Sequence, residues 1–404
     1  MEKVGAARAA WLTVTVYRAS QPAAGVPVRA RTVSPGFRLG FWLGGTRDAE
    51  QLEERLRCLA VTGLFSSVMS PTVLRWADCE PEPKEYHFAA VDEFLSLART
   101  LGFRFVAGPV VSQCREDLPG WAADLPDGEL REAVLRWARV AAAHVRGSCP
   151  ALEVMGEIGR CDWLDERLGL NLLRQMAYEA GMVSRGTRRL VGVTMLPGEA
   201  EAEAFVHRVL SYVESGAQLD GLCLGLACRV DRDDATLRSI LTLVRRAGLP
   251  ILVAPFRLLG TMDESGLQRV LNSVLLLLAE PRVEGILMEP EMLRANDDAC
   301  FPSELAQRLE GLIRRRLYRE RIAATDSAGS VRFRVLAGCW EVRAGMGTWQ
   351  VATQVEIQAG GARVRLELPP LKDGSAAEPA SPGAGTQSAP PSAAADDDDS
   401  ASQD

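Results

Sequence analysis

The feature that most constrains the fold is a regular alternation of short apolar runs with long amphipathic segments between residues 39 and 319. The apolar runs lie at 39–43, 64–69, 103–111, 152–155, 190–195, 221–226, 251–256 and 283–288. The segments between them have helical periodicity, and Gly102 and Gly248 stand where helices commonly end. Continuous apolar runs separated by helices are typical of parallel strands that are buried on both faces.

Eight apolar runs, seven helical segments between them and an eighth helix expected at 304–319 favour a closed barrel over an open doubly wound sheet. No glycine-rich phosphate loop follows an early strand, which disfavours a nucleotide-binding sheet. The sequence therefore predicts an α/β fold, a (β/α)8 TIM barrel over residues 38–322.

Period-two alternation of apolar and polar residues marks both ends of the chain. Two strands are predicted at 11–17 and 28–33, and four more at 331–337, 339–344, 350–358 and 362–368. We expect these strands to form a small antiparallel β appendage. The predicted organisation is N-terminal strands at 1–37, the barrel at 38–322, the C-terminal part of the appendage at 323–370 and a tail at 371–404.

The tail concentrates the negative charge of the chain. The net charge is −7 at pH 7, and the segment from Lys372 to Asp404 holds seven acidic residues, one base and no large apolar side chain. Such a segment offers too little apolar surface to order itself, so we expect a disordered acidic tail. The rest of the chain is nearly neutral and has no basic block, so no nucleic-acid partner is expected. The apolar runs are too short to span a membrane.

Cysteine usage indicates the compartment. The nine cysteines are odd in number and contain no C-x-x-C pair, and the three histidines are scattered. This pattern predicts no metal site and no cofactor, and free thiols in a reducing environment. Because the N-terminus lacks an apolar signal core, we expect a cytoplasmic protein, or a secreted one only if the start of the sequence is incomplete.

Several short motifs fall in order along the predicted barrel. They are Leu118-Pro119-Gly120-Trp121, Glu153-Val154-Met155-Gly156-Glu157, Leu249-Pro250-Ile251 and Pro281-Arg282-Val283-Glu284-Gly285. Together with the segment at 65–92, these motifs resemble those of the family 10 glycoside hydrolases, the endo-β-1,4-xylanases, in their plant-type arrangement. The resemblance covers about residues 10–368 and implies a (β/α)8 barrel with a carbohydrate site at its mouth.

The catalytic positions implied by the resemblance are only half retained. Retaining glycosidases need two carboxyl groups about 5 Å apart, one as acid/base and one as nucleophile. The acid/base position is Glu157, but the nucleophile position is Pro255, which has no carboxylate. Of the substrate-binding positions, Arg75 and Trp76 match the family pattern, and Trp121 is a further candidate for stacking against a sugar. The histidines expected on strands three and six are replaced by Pro109 and Ala227.

Two functional hypotheses follow from these residues. The first is a catalytically degenerate, xylanase-like pseudoenzyme that binds a carbohydrate or a protein at the barrel mouth. The second is an active O-glycosyl hydrolase acting on a β-linked polysaccharide, with Glu157 as acid/base and a relocated carboxylate such as Glu289. An inverting mechanism tolerates a carboxyl separation of about 6.5–9.5 Å. The sequence leaves open an ordinary structural role, in which Glu157 pairs with Arg75 or Arg160 and Trp121 is a packing residue. It gives no oligomeric state.

Deletion of residues 373–404 is expected to leave the melting temperature almost unchanged, because these residues offer no apolar surface to bury. Thermal unfolding of the full and truncated chains, followed by circular dichroism, measures this. A clear fall in melting temperature would instead mean that the tail packs against the folded part, with the arginines at 314–316 as the first surface to examine.

Overall fold

The computed structural model describes residues 9–44, 56–57, 65–229, 234–293, 304–347, 349–358 and 360–370. The acidic tail at 371–404 and most of the helical segment expected between the first two apolar runs lie outside these residues. The chain forms three sheets. One is the barrel, and the other two are built from the strands at the two ends of the chain.

The barrel sheet contains nine strand segments, all paired in parallel. They are β4 (Arg38–Trp42), β5 (Ser67–Met69), β6 (Arg104–Ala107), β7 (Val111–Ser112), β8 (Ala151–Gly156), β9 (Arg188–Val193), β10 (Gly221–Arg229), β11 (Ile251–Leu259) and β12 (Val283–Met288). β4 pairs with β12, so the sheet closes on itself. The predicted (β/α)8 TIM barrel is confirmed, and each of the eight apolar runs supplies one of its strands.

The third barrel strand differs from the prediction of a continuous run at 103–111. It consists of β6 and β7, which are separated by residues 108–110 and both pair with β8. Across this break the backbone N–H of Val110 donates to the carbonyl of Glu153 at 2.9 Å, so the interruption remains tied to the barrel wall. Gly108 has a φ of +106°, and a Cβ there would lie 2.4 Å from the same carbonyl, which explains why glycine occupies the bend.

Ten α-helices connect or flank the strands within the described ranges. They are α1 (Trp76–Cys79), α2 (Ala89–Thr100), α3 (Gly120–Ala123), α4 (Asp127–His144), α5 (Trp163–Leu168), α6 (Asn171–Val183), α7 (Glu199–Glu214), α8 (Ala235–Val244), α9 (Glu264–Ala279) and α10 (Glu304–Leu317). The longest, α4, packs one apolar face on the barrel, where Trp137 is fully buried and its Nε1 donates to the Val110 carbonyl at 2.8 Å. None of the helices in the described part of the chain is both long and apolar enough to cross a bilayer.

The ends of the chain form two further sheets that share a hydrophobic core of their own. Their strands are β1 (Ala9–Arg18), β2 (Gln21–Pro22), β3 (Pro27–Pro35), β13 (Glu320–Ala324), β14 (Ser330–Leu336), β15 (Gly338–Met346), β16 (Trp349–Ile357) and β17 (Ala362–Leu368). We call this unit the sandwich. Its first sheet has the order β14-β1-β17, with β2 on β1, and its second has the order β13-β3-β15-β16.

The sandwich differs in two respects from the antiparallel appendage that the sequence predicts. β1 and β17 run parallel, because the last strand of the chain lies beside the first with β14 on its other side. β13 was not predicted; it pairs antiparallel with β3 and returns the chain to the sandwich at Glu320. Its residues are nearly all exposed, so it lacks the alternation that marks the other strands.

Substitution of the sandwich core residue Trp340 by alanine is expected to destabilise the protein by about 3–5 kcal/mol. Trp340 is fully buried, and its Nε1 donates to the Leu336 carbonyl at 2.9 Å. The matched control is Trp11→Ala, because the Trp11 side chain is 50% exposed on β1 and loses little packing. Urea unfolding of both variants measures the difference, and equal effects would contradict the assignment of Trp340 to the sandwich core.

Candidate functional site

A cavity of about 350 Å³ lies at the end of the barrel where the strands have their C-termini. Its wall combines aromatic, cationic, anionic and hydroxyl side chains. The lining includes Trp42, Thr72, Arg75, Trp76, Ser112, Asp117, Glu157, Arg160 and Thr194. The volume lies within the range of small-molecule sites in proteins. We call this cavity the mouth cavity.

Glu157 directly follows β8, the fourth barrel strand, where the sequence places it. Its φ of +60° lies in the left-handed region, which is uncommon for a residue other than glycine and concentrates at functional sites. The backbone around it is fixed, since Cys161 donates to the Glu157 carbonyl at 3.1 Å and Ile158 donates to the Gly192 carbonyl at 3.0 Å. The Glu157 side chain is only 9% exposed.

Both carboxylate oxygens of Glu157 have protein partners. Oε2 accepts from Nη1 of Arg160 at 2.9 Å, which is one of the two arginine pairings that the sequence offered. Oε1 accepts a hydrogen bond from the Thr194 hydroxyl at the end of β9. A carboxylate held in this way is well oriented, with each of its oxygens engaged by one protein group.

A second carboxylate, which sequence reasoning did not single out, lies below Glu157 inside the barrel. Glu153 is buried, and the loss of solvation, reinforced by the charge of Glu157, raises its pKa to about 8. The neighbouring Cys223 thiol partly opposes this rise in pKa. A Cβ at Gly192 would lie 2.5 Å from Glu153 Oε1, so this glycine leaves room for the carboxyl group. The sequence signal that could have identified Glu153 is an acidic residue within an otherwise apolar strand.

Pro255, at the position where the family resemblance places the nucleophile, lies in β11, the seventh barrel strand, and is buried. The register shifts beside it on both flanks, because β10 and β12 skip this position in their pairing with β11. The residue offers neither a carboxylate nor a backbone N–H. It is not among the residues that line the mouth cavity.

Glu289 follows β12, the eighth strand, and pairs with a different arginine. Its Oε1 lies 2.6 Å from Nε of Arg257, whose guanidinium stands 5.0 Å from the centroid of the Trp42 ring. Partial burial raises the pKa of Glu289, against the opposing effect of Arg257. The ends of strands four and eight stand on opposite sides of an eight-stranded barrel. Glu157 and Glu289 therefore belong to two separate ion pairs, and Glu289 does not line the mouth cavity.

The substrate-binding candidates are divided between the cavity and the core. Arg75 lines the mouth cavity and is 28% exposed, with Asp78 3.9 Å away. Trp76 also lines it but is 98% buried, stacks on Trp137 and donates from Nε1 to Glu80 at 2.8 Å. Trp121 lies outside the cavity lining.

Trp121 has the packing role that the sequence also allowed. It meets Trp76 edge-on at 5.8 Å, and its Nε1 donates to the Glu80 carbonyl at 3.0 Å. The fully buried Glu80 carboxylate also accepts from Nη2 of Arg136 at 2.8 Å. The Nε1 groups of Trp76 and Trp121 therefore both donate to Glu80, which ties the two tryptophans together.

Besides Arg75 and Glu157, the mouth cavity is lined by two further charged residues, Asp117 and Arg160. Asp117 lies in a short turn after β7. The pKa of the Arg160 guanidinium is raised mainly by its hydrogen bond to Glu157 and the charge of that residue, with smaller contributions from Asp117 and Glu116. Sequence reasoning did not identify Asp117, because its turn joins the site only when the third and fourth strands are paired. The cavity thus offers two cations and two anions to a ligand.

The expectation of free thiols is wrong for Cys114 and Cys161, which form a disulfide. They are 47 residues apart, but each follows one of two adjacent barrel strands, which brings their Cα atoms to 5.3 Å. One premise for a reducing compartment is therefore removed. Glu116 lies close to both sulfurs, yet bonded sulfurs offer no thiolate to a metal, so these three residues do not make a metal site.

The barrel is similar to solved xylanase structures. Xylanase 10B from Thermotoga petrophila RKU-1, solved with xylobiose, is 15% identical, and the match covers 63% of this chain and 82% of that one at a TM-score of 0.52. A psychrophilic family 10 endo-β-1,4-xylanase is 12% identical, with 68% and 96% covered and a TM-score of 0.56. The xylanase from Bispora sp. MEY-1, also solved with xylobiose, is 15% identical, with 62% and 82% covered and a TM-score of 0.54.

These likenesses establish a family 10 glycoside hydrolase-like (β/α)8 barrel, as the sequence resemblance indicated. No protein-family model and no curated protein sequence matches the chain. At such low identity the comparison concerns the scaffold, and the chemistry of the site depends on the residues that line it.

Replacement of Glu153 by glutamine is expected to remove part of the pH dependence of stability. The folded protein holds a proton on Glu153 up to about pH 8, whereas an unfolded glutamic acid ionises near 4.5. The stability that the protonated form supplies is therefore lost as the pH rises from about 4.5 to about 8. At pH 8 the free energy of unfolding of Glu153→Gln should exceed that of the wild type by more than about 1 kcal/mol, with a smaller difference at pH 5.

Urea unfolding of both proteins at pH 5, 6, 7 and 8 measures this effect. The control is Glu93→Gln on the exposed side of α2. Parallel stability curves for the wild type and Glu153→Gln would contradict a buried, protonated Glu153.

Proposed function

We propose that the chain is a catalytically degenerate, xylanase-like barrel that binds a β-linked saccharide in the mouth cavity without hydrolysing it. The observation that carries this proposal is the state of the two catalytic positions. Glu157 is engaged by Arg160 and Thr194. The position of its partner carboxylate is the buried Pro255 of β11.

The retaining reaction needs a carboxylate that attacks the anomeric carbon while a second carboxyl group protonates the departing oxygen. Proline at position 255 cannot form the glycosyl–enzyme ester, so the covalent intermediate has no residue to form on. Asp117 lies in the same cavity and adds to the effect of Glu157, whose hydrogen bond and charge are the main reasons that the pKa of Arg160 is raised.

The composition of the mouth cavity supports saccharide binding. Arg75 and Arg160 present N–H donors, while Asp117 and Glu157 present acceptors, so neighbouring sugar hydroxyls find partners of both kinds. Trp42 contributes an apolar surface beside these groups. Two of the structurally similar xylanases were solved with xylobiose, which makes β-1,4-linked xylose oligomers the first ligands to test.

The competing hypothesis, hydrolysis by Glu157 with Glu289, finds less support. Glu289 is held by Arg257, and its carboxyl group does not line the cavity that contains Glu157. An inverting mechanism requires the second carboxylate to activate a water on the far side of the same sugar ring. Two carboxylates that each belong to their own ion pair provide no such shared water site.

Incubation of the purified chain with an activated aryl β-xyloside is expected to give no turnover above that of buffer, for the wild type and for Glu157→Gln alike. Calorimetric titration with xylotetraose should show binding that Arg75→Ala weakens by about tenfold, the loss of one charge-assisted contact. The control is Arg139→Ala, which removes an arginine paired with Glu179 on the outer helices.

Turnover that disappears in Glu157→Gln would overturn the pseudoenzyme proposal and make Glu289→Gln the next variant. Absence of binding to both xylo- and cello-oligosaccharides would overturn the saccharide proposal.

A further inference from the structure

The outer face of the first sandwich sheet carries exposed arginine, aromatic and threonine side chains that take no part in the barrel. Along β1 the residues alternate between the two sides of the sheet, and Leu12, Val14 and Val16 enter the sandwich core. The opposite set, Trp11, Thr13, Thr15 and Tyr17, faces outward and is exposed or half-buried. These four side chains form a floor about 20 Å long, at the rise per residue of a β-strand.

Arginines flank this floor on both sides. Arg332 and Arg334 on β14, and Arg363 and Arg365 on β17, are all exposed. The strand register places Thr13 directly between Arg332 and Arg363. Since adjacent strands lie about 4.8 Å apart, the two rows of arginines are separated by about 10 Å. We call the floor and its two rows the arginine track.

Two of the guanidinium groups rest on aromatic rings. Arg332 stands 4.6 Å from the centroid of Trp11, and Arg365 stands 4.2 Å from that of Tyr17. These contacts restrict the arginine side chains, so less conformational freedom is lost when they bind an anion. Each guanidinium group occupies one face of its ring.

The charge of the arginine track is strongly positive within a nearly neutral folded chain. Against its four arginines stands Glu367 on β17, which accepts a hydrogen bond from the backbone N–H of Ser20 at 2.9 Å and lies 4.0 Å from Arg365. The second sandwich sheet differs. Its outward arginines are paired, with Arg29 bonded to Glu320 and Arg343 bonded to Glu341 at 2.7 Å. The unbalanced cations are therefore concentrated on one face of the sandwich.

We propose that the arginine track binds a linear acidic polysaccharide, with carboxylates or sulfates on the arginine rows and sugar rings along the floor. Guanidinium groups bind planar or tetrahedral anions through two parallel hydrogen bonds, and the threonine hydroxyls exchange hydrogen bonds with sugar hydroxyls. A polysaccharide with regularly repeated anionic groups matches the two rows of arginines that flank β1. This site is separate from the mouth cavity and does not depend on the function proposed for the barrel.

A polysaccharide fits this face better than a nucleic acid. Single-stranded nucleic acids bind by stacking bases on open aromatic faces between basic side chains. Here one face of each of the Trp11 and Tyr17 rings is already occupied by Arg332 or Arg365, which leaves less aromatic surface for stacking a base. The acidic tail of the chain itself is a competing anion, since Asp396–Asp399 follow β17 within 31 residues. The experiment therefore has to separate these occupants.

The test is a titration of the full chain with polygalacturonate, followed by calorimetry at 50 and 300 mM salt. We expect binding that weakens with salt and falls by at least about tenfold in Arg363→Ala/Arg365→Ala, while Arg363→Lys/Arg365→Lys gives an intermediate loss. The matched control is Arg29→Ala/Arg343→Ala on the second sheet, which should leave the affinity unchanged. Because all four arginines are exposed, equal melting temperatures verify that each variant is folded.

Four results would overturn the proposal. They are failure of the wild type to bind polygalacturonate or heparin, equal losses in the two alanine pairs, tighter binding of a single-stranded oligonucleotide, and binding that appears only after residues 373–404 are removed. The last result would identify the tail as the occupant of the arginine track. Xylan without acidic groups serves as the neutral ligand, and its binding should not respond to the arginine variants of the track.

Discussion

Closure of the barrel between its first and last strands is the constraint on which the rest of the structure depends. β4 pairs in parallel with β12 on one side and β5 on the other. Gly40 lies at the centre of this contact, where a Cβ would stand 2.1 Å from the Ser67 carbonyl. Only a residue without a side chain permits so close an approach of the two backbones. Once the sheet is closed, all strand ends converge on one rim, and residues from distant parts of the chain share a single cavity.

The mouth cavity shows how the same scaffold supports a different electrostatic arrangement. In a retaining glycosidase two carboxyl groups face each other, whereas here Glu157 and Glu289 are each held by an arginine. Inside the barrel, Glu153 feels the charge of Glu157, and its burial keeps its proton to about pH 8. A neutral carboxyl group at that depth adds no charge to the barrel interior. The charges at the mouth of the barrel therefore include those of the two arginine–carboxylate pairs at the strand ends.

The sandwich joins the first and last strands of the chain around one core, so the ends of the sequence stabilise each other. Its outer face and the mouth cavity use arginine in opposite ways. At the mouth, Arg160 is matched to a carboxylate and positions it. On the arginine track, Arg332 and Arg365 lie over aromatic rings, and their charge remains available to a ligand. The two proposals therefore assign ligands of different charge to the two surfaces: a neutral saccharide to the mouth and a polyanion to the sheet.

The sequence by itself determined the architecture and the loss at position 255. Apolar runs and helical periodicity are local properties, so they identified eight strands and placed Glu157 at the end of the fourth; a proline without a carboxylate is likewise evident from its identity alone. Only the tertiary structure decided which charges meet. The Arg160–Glu157–Thr194 contacts, the Arg257–Glu289 pair, the Cys114–Cys161 disulfide and the parallel pairing of β1 with β17 depend on distances across the closed barrel and sandwich. Periodicity along a chain contains no information about such distances, because they are fixed by how the strands pair in space.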